Sequence, residues 1–182
     1  MRMISRRALS LAFLSTLMAV GSSSGAEAVS EAAVDATLRD LYLRIGGSRE
    51  LVTRAAAVLV FPTIIKAGFG IGGEYGEGAL IVRGRTVAYY NSVSASLGFQ
   101  LGAQARSLII LFMTEQALAD FDRTDGWKVG VDGSVALITV GVGGSIDTDR
   151  IRNPIVGFIF DNKGLMYNLT LEGTKISRIS QW

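Results

Sequence analysis

The sequence predicts an α+β fold in which N-terminal helices pack on a strongly curved or closed, mainly antiparallel, glycine-rich sheet. Three observations carry this expectation. The 182 residues include 22 glycines and only 2 prolines, too much glycine for a helical bundle, because each costs about 1 kcal/mol relative to alanine inside a helix. Helical periodicity is concentrated near the start of the chain, and period-two alternation follows it. No long polar linker interrupts the sequence, so residues 29–182 are expected to form one domain, large enough to bury about two thirds of its unfolded surface.

Taken in order, residues 1–28 read as an export signal that is cleaved. Arg2, Arg6 and Arg7 precede an apolar run of 12 positions, Leu9 to Val20, short of the roughly 20 needed to span a bilayer. Ala26-Glu27-Ala28 then supplies an A-x-A cleavage site before Val29. Ser5-Arg6-Arg7-Ala8-Leu9 is also similar to a bacterial twin-arginine signal. The expected location is periplasmic or exported, peripheral to a membrane.

From Ser30 to Ile45, Val34, Leu38, Leu41, Tyr42 and Ile45 recur at helical spacing, with Asp35/Arg39 and Asp40/Arg44 as i,i+4 pairs. This stripe is expected to pack on the domain's own sheet. Gly46-Gly47 ends the helix, and Ser48 is expected to cap a shorter one running to about Ala57. From Val58 onward the texture turns to strands. Between Val93 and Ala103 the apolar Val93, Ala95, Leu97, Phe99, Leu101 and Ala103 alternate with Ser94, Ser96, Gly98, Gln100 and Gly102. Such a strand is half-buried, and its small second face permits close approach or strong coiling. Arg83-Gly84-Arg85 and Asp161-Asn162-Lys163-Gly164 read as hairpin loops, the latter with Gly164 in a left-handed conformation. Ser107 to Met113 reads as a strand, Thr114 as the cap of a helix carrying Ala117, Leu118 and Phe121, and Val129 to Val142 as strands again.

Composition removes several function classes. With no histidine and no cysteine there is no Ser-His-Asp or Cys-His nucleophile, no thiolate redox centre and no N/S zinc site. No metal or other cofactor is expected. Losing residues 1–28 removes three of the 18 basic residues and one of the 16 acidic ones, leaving fifteen of each. A formally neutral domain is not expected to bind nucleic acid, which draws on excess Lys and Arg.

Several motifs fall short of a site. Gly68, Gly70 and Gly73 match G-x-G-x-x-G, but a strand rather than the required helix follows. Glu74 and Glu77 are an acid/base pair only if they share a face at suitable separation. Asp120, Asp122 and Asp125, like Asp147 and Asp149, lack the spacing of a calcium loop and suit turns and caps. Among scattered cations and aromatics, Lys66, Phe69, Tyr75, Arg83 and Arg85 are the candidate lipid-binding residues, since rings beside cations suit a headgroup interface.

At Lys66-Ala67-Gly68-Phe69-Gly70-Ile71-Gly72-Gly73-Glu74-Tyr75-Gly76-Glu77-Gly78 the chain resembles the SYLF domain family of lipid-binding and actin-regulator proteins. Val58-Leu59-Val60-Phe61-Pro62 precedes this block. Leu97-Gly98-Phe99-Gln100-Leu101-Gly102-Ala103-Gln104, Leu111-Phe112-Met113-Thr114, Lys163-Gly164-Leu165 and Leu171-Glu172-Gly173 follow in the family's order. The likeness runs from about Ala55 to Ile179. It implies a single domain that binds membrane lipids, with phosphoinositides and actin as ligands of eukaryotic members. Actin does not carry over to an exported chain with only four lysines and no counterpart of the lysine cluster of actin-binding relatives. The expectation is therefore a non-enzymatic, lipid-binding protein of the bacterial cell envelope. The alternative is a structural protein that binds another envelope protein through a sheet edge or groove.

Overall fold

The computed structural model describes residues 29–98, 104–138, 144–161, 164–165 and 171–179, with the side chains of 67–71, 96–98, 150, 161 and 164–165 outside that description. The expected export signal, residues 1–28, lies outside the described residues.

The first helix, α1 (Glu31–Arg44), starts where the Ala33 N–H donates to Ser30 Oγ at 3.2 Å and buries Val34, Thr37 and Leu41 along one stripe. Asp40 and Arg44 pair at 2.7 Å. Helix α2 (Ser48–Arg54) stops three residues short of the expected end, because Ala57 already belongs to the sheet. Ser48 does not cap it. Gly47, with φ of 81°, takes the N-cap position, while Ser48 Oγ donates to Ile45 O at 2.6 Å and Leu41 O at 3.3 Å. The hydroxyl thus satisfies carbonyls at the end of α1 that the helix leaves open.

The remaining elements are β1 (Ala57–Val82), β2 (Arg85–Gly98), β3 (Gln104–Phe112), α3 (Glu115–Arg123), β4 (Trp127–Lys128), β5 (Ala136–Leu137), β6 (Ile155–Asp161), β7 (Gly164–Leu165) and β8 (Lys175–Ile179). They form one eight-stranded sheet in the order β4-β8-β2-β1-β3-β6-β5, with β7 paired to β6. The pairings are antiparallel except β5 with β6. The sheet curls strongly into a half-barrel, and with the three helices it gives the predicted α+β class.

Strand β1, 26 residues long, organises the curl. Its C-terminal part pairs with β2, from Gly70 opposite Gly98 to Val82 opposite Arg85. Its N-terminal part pairs with β3, from Ala57 opposite Phe112 to Lys66 opposite Gln104. The turn between β1 and β2 is only Arg83-Gly84, with φ of 51° and 75°, the left-handed pair that a type I′ hairpin requires. The strand doubles back on itself. A Cβ on Gly76 would stand 2.6 Å from Ile64 Cγ1 and 2.7 Å from Thr63 O, and one on Gly78 would stand 2.6 Å from both Phe61 Cδ1 and Val60 O. These facing positions are about equally distant from Gly70, so the bend falls in the glycine-rich stretch.

Doubling the ribbon creates an inner core of Leu59, Phe61, Ile64, Leu108, Ile110 and Phe112. Phe121 of α3 closes it, with ring centroids 4.8 Å from Phe112, 5.0 Å from Tyr90 and 5.4 Å from Trp127. Thr114 caps α3 as predicted, accepting from the Ala117 N–H at 3.1 Å. An outer core joins Val58, Val60, Ile109, Leu111 and Phe158 to Val34, Leu41, Ile45 and Leu51 of the two N-terminal helices. Because both faces of β1 and β3 are covered there, their sequences read as unbroken apolar runs.

Two strand expectations shrink. In place of strand from Val129, the chain turns, with the Lys128 N–H donating to Asp132 Oδ2 at 2.7 Å and Gly130 at φ of 84°. Only Ala136–Leu137 is strand, and residues 139–143 lie outside the described ones. The hairpin after β6 forms with Gly164 paired to Asp161, while its loop residues 162–163 and the expected strand through 166–170 lie outside the described residues. So do residues 99–103 of the alternating Val93–Ala103 segment.

Candidate functional site

Strand alternation sorts the ribbon's side chains into two faces. Along β2, Ala88, Tyr90 and Ser92 point into the inner side and are buried. Val93 and Ala95 therefore point outward, opposite Tyr75 and Gly73 of β1. On the other half of β1, Ile65 opposite Ala105 also points outward. Ile65, Tyr75 and Val93 are 51%, 47% and 45% exposed. The apolar half of the alternating segment is thus the solvent side where it is described, and the small residues form the concave side. The physical reason is the bend: Gly76 and Gly78 leave room for Ile64 and Phe61 of the facing half of the ribbon.

Besides Val58, Val60, Ile109 and Leu111, the outer core under the N-terminal helices takes in Ala79, Ile81 and Tyr89 near the turn, where Val87 stays exposed. Glu77 opposite Asn91 marks the boundary between the covered part and the exposed Tyr75 and Val93. There the Tyr75 hydroxyl donates to Glu77 Oε1 at 2.6 Å. This bond to the carboxylate, followed by partial burial, pushes the Tyr75 phenol up to about 12.

Toward the bend the inner side carries charge beside its apolar core. Arg106 of β3 reaches across the doubled ribbon to Glu74 of β1, and their side chains are only 9% and 14% exposed. Arg106 Nε is buried with no hydrogen-bond partner. Lys66 stands half-buried on β1 opposite Gln104. A shallow cleft of about 450 Å³ elsewhere on the domain is bordered by Thr114, Asp120, Asp132, Ser134 and Asn153 over a Trp127 floor.

The five sequence-predicted residues do not form one patch. Lys66 and Tyr75 lie either side of the bend, and the side chain of Phe69 is outside the described residues. Arg83 and Arg85 sit exposed at the turn, eight residues beyond Tyr75, about 26 Å of extended strand away. Val93 and Ala95, which the alternation around Val93 signals, and Ile65, which lies outside that segment, are not among the five.

The weaker motifs resolve as turns and ties. Gly68, Gly70 and Gly73 lie inside β1, with no helix after them. Glu74 and Glu77 face opposite sides of the strand and make no acid/base pair. Asp120 pairs with Arg123, Asp122 accepts from Tyr90 at 3.3 Å, and Asp147 accepts from the Asp149 N–H at 3.3 Å. Among the described residues no group of three acidic side chains is placed to hold a metal, and no helix is long and apolar enough to cross a membrane.

Residues 93–182, close to half of the chain, match the Ysc84 family, described as Las17-binding protein actin regulator. That stretch is similar to the Ysc84, or SYLF, family that the sequence motifs also resemble. The match begins on β2, after the glycine-rich block from Lys66 to Gly78. No curated protein matches the chain.

Proposed function

We propose that the protein is a non-enzymatic lipid-binding domain of the bacterial cell envelope, exported and docked peripherally on phospholipid. The observation that carries this reading is the outward exposure of Tyr75 and Val93 on one half of the bent ribbon and of Ile65 on the other, on a sheet whose opposite face is already a packed core. Fully burying an apolar side chain contributes about 1.5–3 kcal/mol, so three residues already half-covered contribute roughly 3 kcal/mol in all. One cation near an anionic surface adds about 1 kcal/mol. Binding is therefore weak and reversible, with a modest salt dependence. Location follows the same reading: protein recovered from the producing cell begins at Val29, which N-terminal sequencing checks, and an intact Met1 on a cytoplasmic pool contradicts it.

A second reading has its own support. The family description names a protein partner, and the cleft beside α3 offers a polar rim over an apolar floor, a form suited to protein contact. Co-sedimentation of residues 29–182 with neutral and anionic vesicles separates the two. If the chain binds neither vesicle type and carries no lipid on purification, the protein-partner reading takes its place.

A further inference from the structure

We infer that the chain meets a bilayer bend first, entering one leaflet with Tyr75 and Glu77 at headgroup level. This rests on the lipid-binding reading and adds which end enters and how far.

Charge along the ribbon sets the direction. On the outer face, Glu77 and Asn91 form the last polar pair before Tyr75–Val93 and Gly73–Ala95. Beyond them, β1 from Ala67 to Gly73 and β2 from Ala95 to Gly98 carry no charged residue. The charges that bound this stretch stand at matching levels on the two halves. Lys66 and Glu74 are equally far from Gly70, and Arg106 is paired to Glu74. An uncharged end, an aromatic and the first charges together at its edge, and Glu77 behind them reproduce the order of a leaflet: hydrocarbon, interface, water. A tyrosine with a polar tip belongs at the middle of those layers.

Length sets the depth. From Tyr75 to Gly70 is five residues, at most about 17 Å of strand, whereas half of the hydrocarbon core is about 15 Å. The end therefore reaches about the midplane and does not span. Glu77 fixes the waterline, because its carboxylate holds the Tyr75 hydroxyl at 2.6 Å and a charged group entering hydrocarbon loses its hydration. Lys66, four residues from Gly70 where Tyr75 is five, lies near the level of Tyr75, within reach of headgroup phosphates. Arg83 and Arg85, at the opposite end of the ribbon, stay in water.

The chain has no cysteine, so single cysteines at Ala95, Asn91, Arg83 and Val131 can each carry an environment-sensitive fluorophore. The chain from Val29 onward holds every described element of the fold and is used throughout. Vesicles of mixed neutral and anionic phospholipid carry quenchers at graded depths, and co-sedimentation first establishes binding. The label at Ala95 is expected to shift to the blue and respond to the deepest quencher. The label at Asn91 should respond only to a headgroup-level quencher, and those at Arg83 and Val131 to none. Equal depth at Asn91 and Ala95, a deeper label at Arg83, or no response from any label on a chain that co-sediments overturns the orientation and leaves lipid binding standing. A chain that does not co-sediment removes the lipid-binding reading and this inference with it.

Discussion

Replacing Gly78 with alanine probes the doubled ribbon on which the outward apolar residues depend. The added Cβ would stand 2.6 Å from Val60 O and from Phe61 Cδ1, and 2.8 Å from Phe61 Cε1. Val60 O is a backbone atom of a buried strand and cannot step aside as a side-chain tip does. In an extended conformation the exchange alone would stabilise by about 0.4–1 kcal/mol through the unfolded chain. Overpacking costs about 1–3 kcal/mol, so the net expectation is a loss of about 1–2 kcal/mol. For a domain of this size that lowers the melting temperature by roughly 2–8 °C. Gly73→Ala is the matched control on the same strand, since its Cβ would meet only Ser94 O at 3.8 Å, and it should melt with the parent or slightly above. Thermal and urea unfolding of residues 29–182 provide the assay. If Gly78→Ala melts like the parent, or Gly73→Ala falls as far, the two halves of β1 are not pressed together and the reasoning from the bend is refuted.

Two further predictions concern ionisation and charge. Tyr90 is buried, and burial first, with Asp122 second, pushes its phenol from 10.0 up to about 12. A neutral acid held above its unfolded value contributes stability that is complete below pH 10 and lost as the pH rises through 12, at most about 2.7 kcal/mol for two pH units. Urea midpoints at pH 9 and 11.5 should therefore fall further for the parent than for Tyr90→Phe, and equal falls would remove the argument. Lys66→Glu should weaken binding to anionic vesicles at least about fivefold, from about 1 kcal/mol per cation. The Arg83→Glu, Arg85→Glu pair should leave binding close to the parent's, and the reverse ranking would place the membrane contact at the turn.

What the sequence disclosed is what neighbouring residues decide. The Ser30 and Thr114 caps, the stripe of α1 and the hairpin at Arg83-Gly84 all depend on side chains a few positions apart. The role of Ser48 was misread because its partners lie behind it, at Leu41 and Ile45. The Glu74–Arg106 pair joins residues 32 apart, and nothing local to either announces it. The direction of the alternating Val93 segment was hidden for a similar reason. Alternation shows that a strand has two unlike faces, but which one is covered depends on where the ribbon folds, and the doubling at the glycines turns the small face inward. Gly130 and Asp132 convert an apolar stretch into a turn, although hydrophobicity alone argued for strand.

The central claim is that the outward apolar residues of the bent ribbon are the membrane contact. Val93→Asp together with Ile65→Asp, both at exposed positions, tests it in vesicle co-sedimentation beside Val131→Asp, which alters a still more exposed apolar residue on another turn. With melting temperatures unchanged, the account predicts that the double variant loses binding to neutral and anionic vesicles alike while Val131→Asp binds as the parent does. Retained binding by the double variant, or equal loss by Val131→Asp, would contradict it.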